Sequence, residues 1–507
     1  MAAALQRLVT LICVLPAILA GTAVALDRVV TVATPILPSI VFSPYQGLSM
    51  PSTFSTLAVF DPLAVIDGQG RVLPWLAKSW QSEDGKVWRI VLEPDVVFSN
   101  GRPVDADALV ASVAHMQSKA GRAETVGSSM ALIDTIHAVS DREVEIVLRD
   151  RDAMFATRLA LWKIPEPEGW PRASVASAVT EARGSGPFMF EQIAANRLVL
   201  AANPRARHPA SIDKLEFVML PDQTARLQAL LSGSADIALQ LGIENRDPIE
   251  SAGGAFVVRR TTMLRYIAFA AEHVKTKGSP ILDARVRRAL NHAVDKRQII
   301  DRLLGGSVAE VGQLVFPGAP GFDPSLAPYS HDPELARRLL ADAGYARGFD
   351  LTIRFAGTGN DDATVVQQII ADLKHVGVNV TVKPATQVQM TPLLFSGQLE
   401  AELFFNFARG LDPLGDYRIR SCLGLAAGKP FFCDPNMLAD VNRARSATTF
   451  DDAAAALRIA IRREHDNPPG IFLWETPAYD GFSARVPAPE GYGRDYDFVA
   501  AERLKLR

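Results

Sequence analysis

The sequence carries no surplus of positive charge. Its 53 lysines and arginines stand against 56 aspartates and glutamates, a formal net charge of -3, so the basic footprint of a nucleic-acid binder is missing. There is no internal repeat and no low-complexity linker, and beyond the N-terminus no apolar run is long enough to span a bilayer. Cysteine is scarce, with three in 507 residues: Cys13, Cys422 and Cys433. Catalytic signatures are missing too. The eight histidines form neither HExxH nor a pair at clear metal spacing. "GTGN" at Gly357 lacks the third glycine of a dinucleotide loop, and Gly428-Lys429 lacks the flanking residues of a phosphate loop. Ser185 in "RGSGPF" lacks the second glycine of a nucleophile elbow and reads as a tight turn entering the strand "FMFEQI".

What is present is an ordinary folding composition, 48% hydrophobic and 21% charged, outside the range of general disorder. A chain of 507 residues is too long for one core, since domains hold ~100–200 residues, so two or three lobes are expected. The first residues, "MAAALQRLVTLICVLPAILAGTAVALD", give Arg7, then an apolar run, then Ala23-Val24-Ala25. That is the layout of a cleaved secretory signal over residues 1–25. A retained anchor is the alternative, but Pro16 and Gly21 interrupt the run. Thr10-Leu11-Ile12 ahead of Cys13 does not resemble a lipoprotein signal. Cleavage leaves Cys422 and Cys433. In an oxidising compartment they are expected to bridge, two unpaired buried thiols being the alternative.

Along the mature chain, short apolar strands alternate with capped helices. "DPELARRLLADAG" is capped by Asp332 with Pro333 at its first helical position, and it ends at Gly344. "PDQTARLQALLSG" repeats the device from Asp222 to Gly233, and the strand "ADIAL" follows. One long helix is expected from Asp283 to Gly305-Gly306, with Val286, Leu290, Ala293 and Ile300 inward and its arginines on a solvated face. From Phe349 to Ala408 the pattern runs strand, helix, strand, a helical segment interrupted by Pro392, then strand. Such alternation predicts an α/β fold with a parallel or mixed sheet. Ligands of these sheets bind outside the carboxyl ends of the strands. Arg409 follows the strand "AELFFNFA" at such an end.

Several blocks, in order, resemble the extracellular solute-binding proteins of family 5, which serve peptide, opine and nickel ABC importers. The first runs from Leu73 to Val113 and carries Phe98, Gly101, Pro103, Val104, Ala106 and Asp107 in and just after an F-x-x-G-x-P-hydrophobic turn. "GSGPFMFEQIAANRLVLAANPRA", "LQALLSGSADIA", "RVRRALNHAVDKRQII" and "HDPELARRLLADAGY" follow. Together they cover nearly the whole mature chain. The resemblance implies a periplasmic binding protein-like fold of type II, with two lobes and an extra subdomain in lobe one. By analogy, lobe one spans 26–262 with its extra subdomain at about 50–180. Lobe two spans 263–476, and residues 477–507 return to lobe one.

The implied function is periplasmic capture of a peptide-like, opine-like or other small anionic solute for an inner-membrane ABC permease. The implied protein is a monomer without cofactor, metal or catalysis. The alternatives are an exported hydrolase or chaperone on the same scaffold, or a ligand sensor. Candidate contacts come from three places. Gly47, Leu48 and Ser49 lie in the first mature loop, against the alternative of an ordinary surface loop. Trp474 lies near the hinge, as pocket roof or as core. Asn406, Arg409 and Asp412 lie at the strand end. In peptide-binding relatives an aspartate at the position of Arg409 pairs with the ligand's amino group, so the charge here is inverted. An arginine fork there suits a carboxylate or phosphate. The alternative is an internal ion pair to Asp412 or Asp416.

Overall fold

The computed structural model describes residues 28–37, 43–45, 52–170, 177–274, 278–357, 362–409, 413–420, 422, 431–492 and 501–507. The signal-like segment 1–25 lies outside them. Sixteen strands appear among these residues. They are β1 (Val29–Thr34), β2 (Ala64–Ile66), β3 (Val72–Pro74), β4 (Ala77–Gln81), β5 (Val87–Leu92), β6 (Ile133–Ser140), β7 (Glu143–Leu148) and β8 (Phe188–Ile193). The second half holds β9 (Arg197–Ala202), β10 (Lys214–Met219), β11 (Ile237–Leu241), β12 (Ala255–Phe269), β13 (Phe349–Phe355), β14 (Val378–Pro384), β15 (Leu403–Ala408) and β16 (Gly470–Phe482). Ten of them form one mixed sheet in the order β14-β13-β15-β12-β16-β11-β1-β10-β9-β8. A separate antiparallel sheet, β4-β5-β7-β6, and the hairpin β2-β3 belong to the early segment. This is the two-lobed type II α/β architecture.

The ten-stranded sheet is continuous because β12 and β16 are long and pair antiparallel, from Ala255 opposite Phe482 to Ala268 opposite Gly470. On one side of this pair, the largest apolar cluster runs from Val30 to Phe217 and closes on Phe482, Val486 and Leu504. On the other side, two clusters flank β12, β13 and β15. Ala153 and Met154 are an exception to the chain order. They sit in the early segment but are buried among residues of the second half of the chain such as Phe316, Ala444 and Leu457. The early segment therefore packs on the second half of the chain as well as on the first.

Within the β12/β16 pair the ladder is irregular between Arg260 and Leu264. Side chains bond across that gap: Arg260 grips Glu475 with two bonds of 3.0 and 2.9 Å, and Thr261 Oγ1 donates to Thr476 O at 2.8 Å. Just before it, Arg259 Nε donates to Asp480 Oδ2 at 2.9 Å, with both side chains buried. Asp480 also accepts from Gln240 N and Tyr492 Oη, each at 2.9 Å. Gln240 has a φ of 53°, in the left-handed region that non-glycine residues seldom occupy. It lies at the irregularity of the β11–β16 ladder, so the carboxylate takes an amide that the ladder cannot satisfy there.

Three local readings are corrected. The long helix is two helices, Ala284–Ala293 and Lys296–Leu303. Val294 is extended, and Asp295 accepts from Gln298 N at 2.9 Å as the cap of a new helix, not as a residue within the old one. The inward set Val286, Leu290, Ala293 and Ile300 is buried. Arg287, however, is not on a solvated face: it is buried and donates to Pro468 O at 3.1 Å and Ile281 O at 2.6 Å. Pro392 does not interrupt its helix, which runs from Gln387 to Ser396 and ends at Gly397 in the left-handed conformation.

Among the described residues, two lysines are buried without a carboxylate in hydrogen-bonding contact. There Lys163 Nζ donates to Pro44 O, at 3.5 Å, and Lys296 Nζ donates to Asn291 O and Tyr329 O. Burial pulls both ammonium groups down to about 8. Between about 8 and the unfolded value near 10.4 the unfolded chain binds more protons than the folded one. This contribution to stability is therefore fully present above the unfolded value and is lost as pH falls through 8. The Lys163→Met protein is expected to be more stable than wild type at pH 7, with the advantage shrinking by pH 10. Denaturant titrations at both pH values check this, and parallel pH profiles would contradict it. Removing the partner of Arg259 leaves a buried charge uncompensated, so Asp480→Ala is expected to cost ~3–5 kcal/mol in the same assay. A loss below about 1 kcal/mol, the scale of an exposed pair, would show that the crossing does not depend on it.

Candidate functional site

Strands β13 and β15 are parallel and end at the same edge of the sheet, beside the interior of β12, with Leu264 opposite Ala408 and Arg265 opposite Phe407. The edge therefore gathers the middle of β12 and the residues just after β13 and β15. Arg409 is the residue that follows β15. It is exposed, and it makes no hydrogen bond or ion pair among the described residues. β15 ends at Ala408, which is buried, and the residue that follows has left the packed layer. Asp416, weighed as its internal partner, does not pair with it. Asp412 lies outside the described residues, as do Gly47, Leu48 and Ser49.

Asn406 is half-buried, and its Nδ2 donates to Tyr266 Oη at 2.9 Å. Its amide therefore ties β15 to β12 across the non-local pairing. Trp474 is 3% exposed and packs with Ile267, Phe405 and Leu473 in one lobe-two cluster. Its neighbours are core residues, and this is the core alternative of the two weighed for it. Cys422 and Cys433 are joined by a disulfide with their Cα atoms 4.6 Å apart. The bridge holds the chain that follows the Arg409 edge.

One pair at this edge was not singled out from sequence. Arg265 is buried on β12, and its Nη2 lies 3.6 Å from Asp362 Oδ1, where the helix Asp362–His375 begins. Its guanidinium also stands 4.5 Å from the centroid of Phe405, a cation–π distance. Burial lowers the Arg265 pKa and Asp362 raises it. An arginine so placed stays charged. The visible signal was an arginine inside the apolar strand "MLRYIAFA". Its partner lies far along the chain and could not be read locally.

Ser185, set aside as a turn, is buried and donates to Asp61 Oδ2 at 2.8 Å. Asp61 also accepts from Trp75 Nε1 at 2.7 Å. Burial raises the Asp61 pKa while the two donors lower it. This serine holds a carboxylate and has no histidine partner, so it ties the turn to the hairpin region. Among the described residues no group of three or more His, Cys, Asp or Glu side chains could hold a metal ion.

The edge thus presents the exposed Arg409 at the carboxyl ends of parallel strands, with the buried Arg265–Asp362 pair and the Phe405 ring in the adjoining elements. Known proteins share the fold that builds it. The chain is 30% identical over 352 residues to the nickel-binding periplasmic protein of Escherichia coli (strain K12), covering 65% of this chain and 66% of that protein. It is 28% identical over 487 residues to the probable di/tripeptide-binding protein 5 of Pseudomonas aeruginosa (strain UCBPP-PA14), covering 86% and 88%. Among solved structures, NikA from Brucella suis in complex with Fe(III)-EDTA superposes with a TM-score of 0.79 at 22% identity, over 95% of this chain and 100% of that one. Residues 71–418 match the family described as bacterial extracellular solute-binding proteins, family 5 Middle. The chain belongs to the bacterial extracellular solute-binding proteins of family 5.

Proposed function

We propose that this protein captures a small solute carrying an anionic group and delivers it to the permease of an ABC importer. The relatives are named for nickel, di- and tripeptides, heme and glutathione, so the family alone does not choose among solutes. The observation that carries the choice is Arg409. It stands exposed and unpaired among the described residues, at the strand end where such sheets take their ligands. Its planar fork holds a carboxylate or phosphate through paired short hydrogen bonds. Arg265 is paired with Asp362 and so offsets that carboxylate, which leaves the charge of Arg409 uncancelled by it.

In this reading lobe one comprises residues 26–262 with its early subdomain at about 50–180, and lobe two comprises 263–476. The remainder, 477–507, returns to lobe one. The chain is exported through a cleaved signal over 1–25 and works as a monomer in the periplasm, without cofactor and without catalysis. Binding favours the closed arrangement of the lobes to the extent that the solute contacts both.

Native mass spectrometry of the purified protein identifies the retained solute, and calorimetry with that solute on wild type and Arg409→Asp tests the role of the charge. The variant is expected to bind at least about tenfold more weakly, a loss of about 1.4 kcal/mol or more. Unmodified di- and tripeptides are expected to bind wild type poorly. Unchanged affinity in the variant, or tight binding of plain dipeptides by wild type, would contradict the anionic reading.

A further inference from the structure

A cavity of about 550 Å³ opens between the four-stranded sheet and the segments 318–320 and 448–450, with none of the residues of the Arg409 edge in its lining. Trp80 on β4 and Trp88 on β5 line its sheet side. Trp80 pairs with Ile90, two residues from Trp88, so both indoles project from one face. Trp88 is buried and its Nε1 donates to Gly85 O at 3.3 Å, whereas Trp80 is half-buried. Phe450 stands at the opposite wall with 45% of its surface exposed.

The two walls approach each other backbone to backbone. A Cβ on Gly70 would lie 2.8 Å from the carbonyl carbon of Gly318, and one on Gly85 would lie 3.4 Å from Ala447 O. Gly70 also has a φ of 76°, so a side chain is disfavoured there twice over. These contacts bring the early subdomain and lobe two together around the cavity.

The lining is largely apolar, with the amide of Gln81 and neutral hydroxyls from Ser82, Thr157, Thr448 and Thr449. Its one cation, Arg71, is held by Asp67 at 2.7 Å, and Glu83 stands exposed. The cavity therefore offers no free positive charge, in contrast to the Arg409 edge. Its volume falls in the range of small-molecule sites, ~300–1,000 Å³. Indole faces favour stacking with flat rings.

We propose that this cavity is a second ligand site, distinct from the solute crevice, for a neutral, flat, largely apolar molecule of one or two fused rings. Its walls come from the early subdomain and from lobe two. A molecule bound there favours the arrangement in which they are seated together.

The test is titration of the purified protein with 5-fluoroindole, followed by fluorine NMR. Saturable binding is expected. It should weaken at least about tenfold in Trp80→Ala, which removes an aromatic wall, and in Thr448→Trp, which fills the cavity from its exposed rim. Circular dichroism confirms that each variant is folded, and Arg409→Asp should bind the probe as wild type does. The proposal is overturned if wild type shows no saturable binding, if folded Thr448→Trp binds normally, or if Arg409→Asp loses the probe.

Discussion

The architecture depends on one antiparallel crossing, β12 against β16, and on the buried Arg259–Asp480 pair within it. Every strand of the ten-stranded sheet reaches the other lobe through these two. A pair of strands crossing between two cores must satisfy its backbone groups where it belongs fully to neither. Here the ladder is irregular between Arg260 and Leu264, and side chains replace part of it: Arg260 to Glu475, and Thr261 to the Thr476 carbonyl. Asp480 lies on the lobe-one side of that gap and gathers Arg259, the Gln240 amide and Tyr492. An irregular midsection beside a well-anchored end is a physical basis for two lobes that can turn relative to each other while sharing one sheet.

Much of the fold was legible because its signals are local. The run from Phe349 to Ala408 was read as alternating strands and helix, and β13, β14, β15 and the helix Asp362–His375 are all there. Caps such as Asp222 and Asp332 announced their helices for the same reason. The failures share a different cause. The amphipathic pattern continues unbroken across Val294-Asp295, so periodicity alone joined two helices that a cap separates. Arg287 looked like surface because its acceptors, Pro468 and Asn467, are about 180 residues away.

The candidate site was legible in part. Topology placed Arg409 at a strand end, and it stands there, but exposed. The pairing of Arg265 with Asp362 was hidden, since only the sheet order brings β12 beside β15 and the helix after β13 near both. Trp474 could have been roof or core, and the packing makes it core. Nor could periodicity show that Ala153 and Met154, far from lobe two in sequence, are buried within one of its clusters. That seating brings the early segment against the second half of the chain around the cavity walled by Trp80 and Trp88.

The central claim is that the lobes close over a solute about the β12/β16 crossing. Small-angle scattering of the purified protein, stripped of solute and then saturated with the solute recovered by native mass spectrometry, tests it most directly. The account predicts a smaller radius of gyration in the saturated protein, reversed when the solute is removed. Superimposable curves at demonstrated saturation would contradict it.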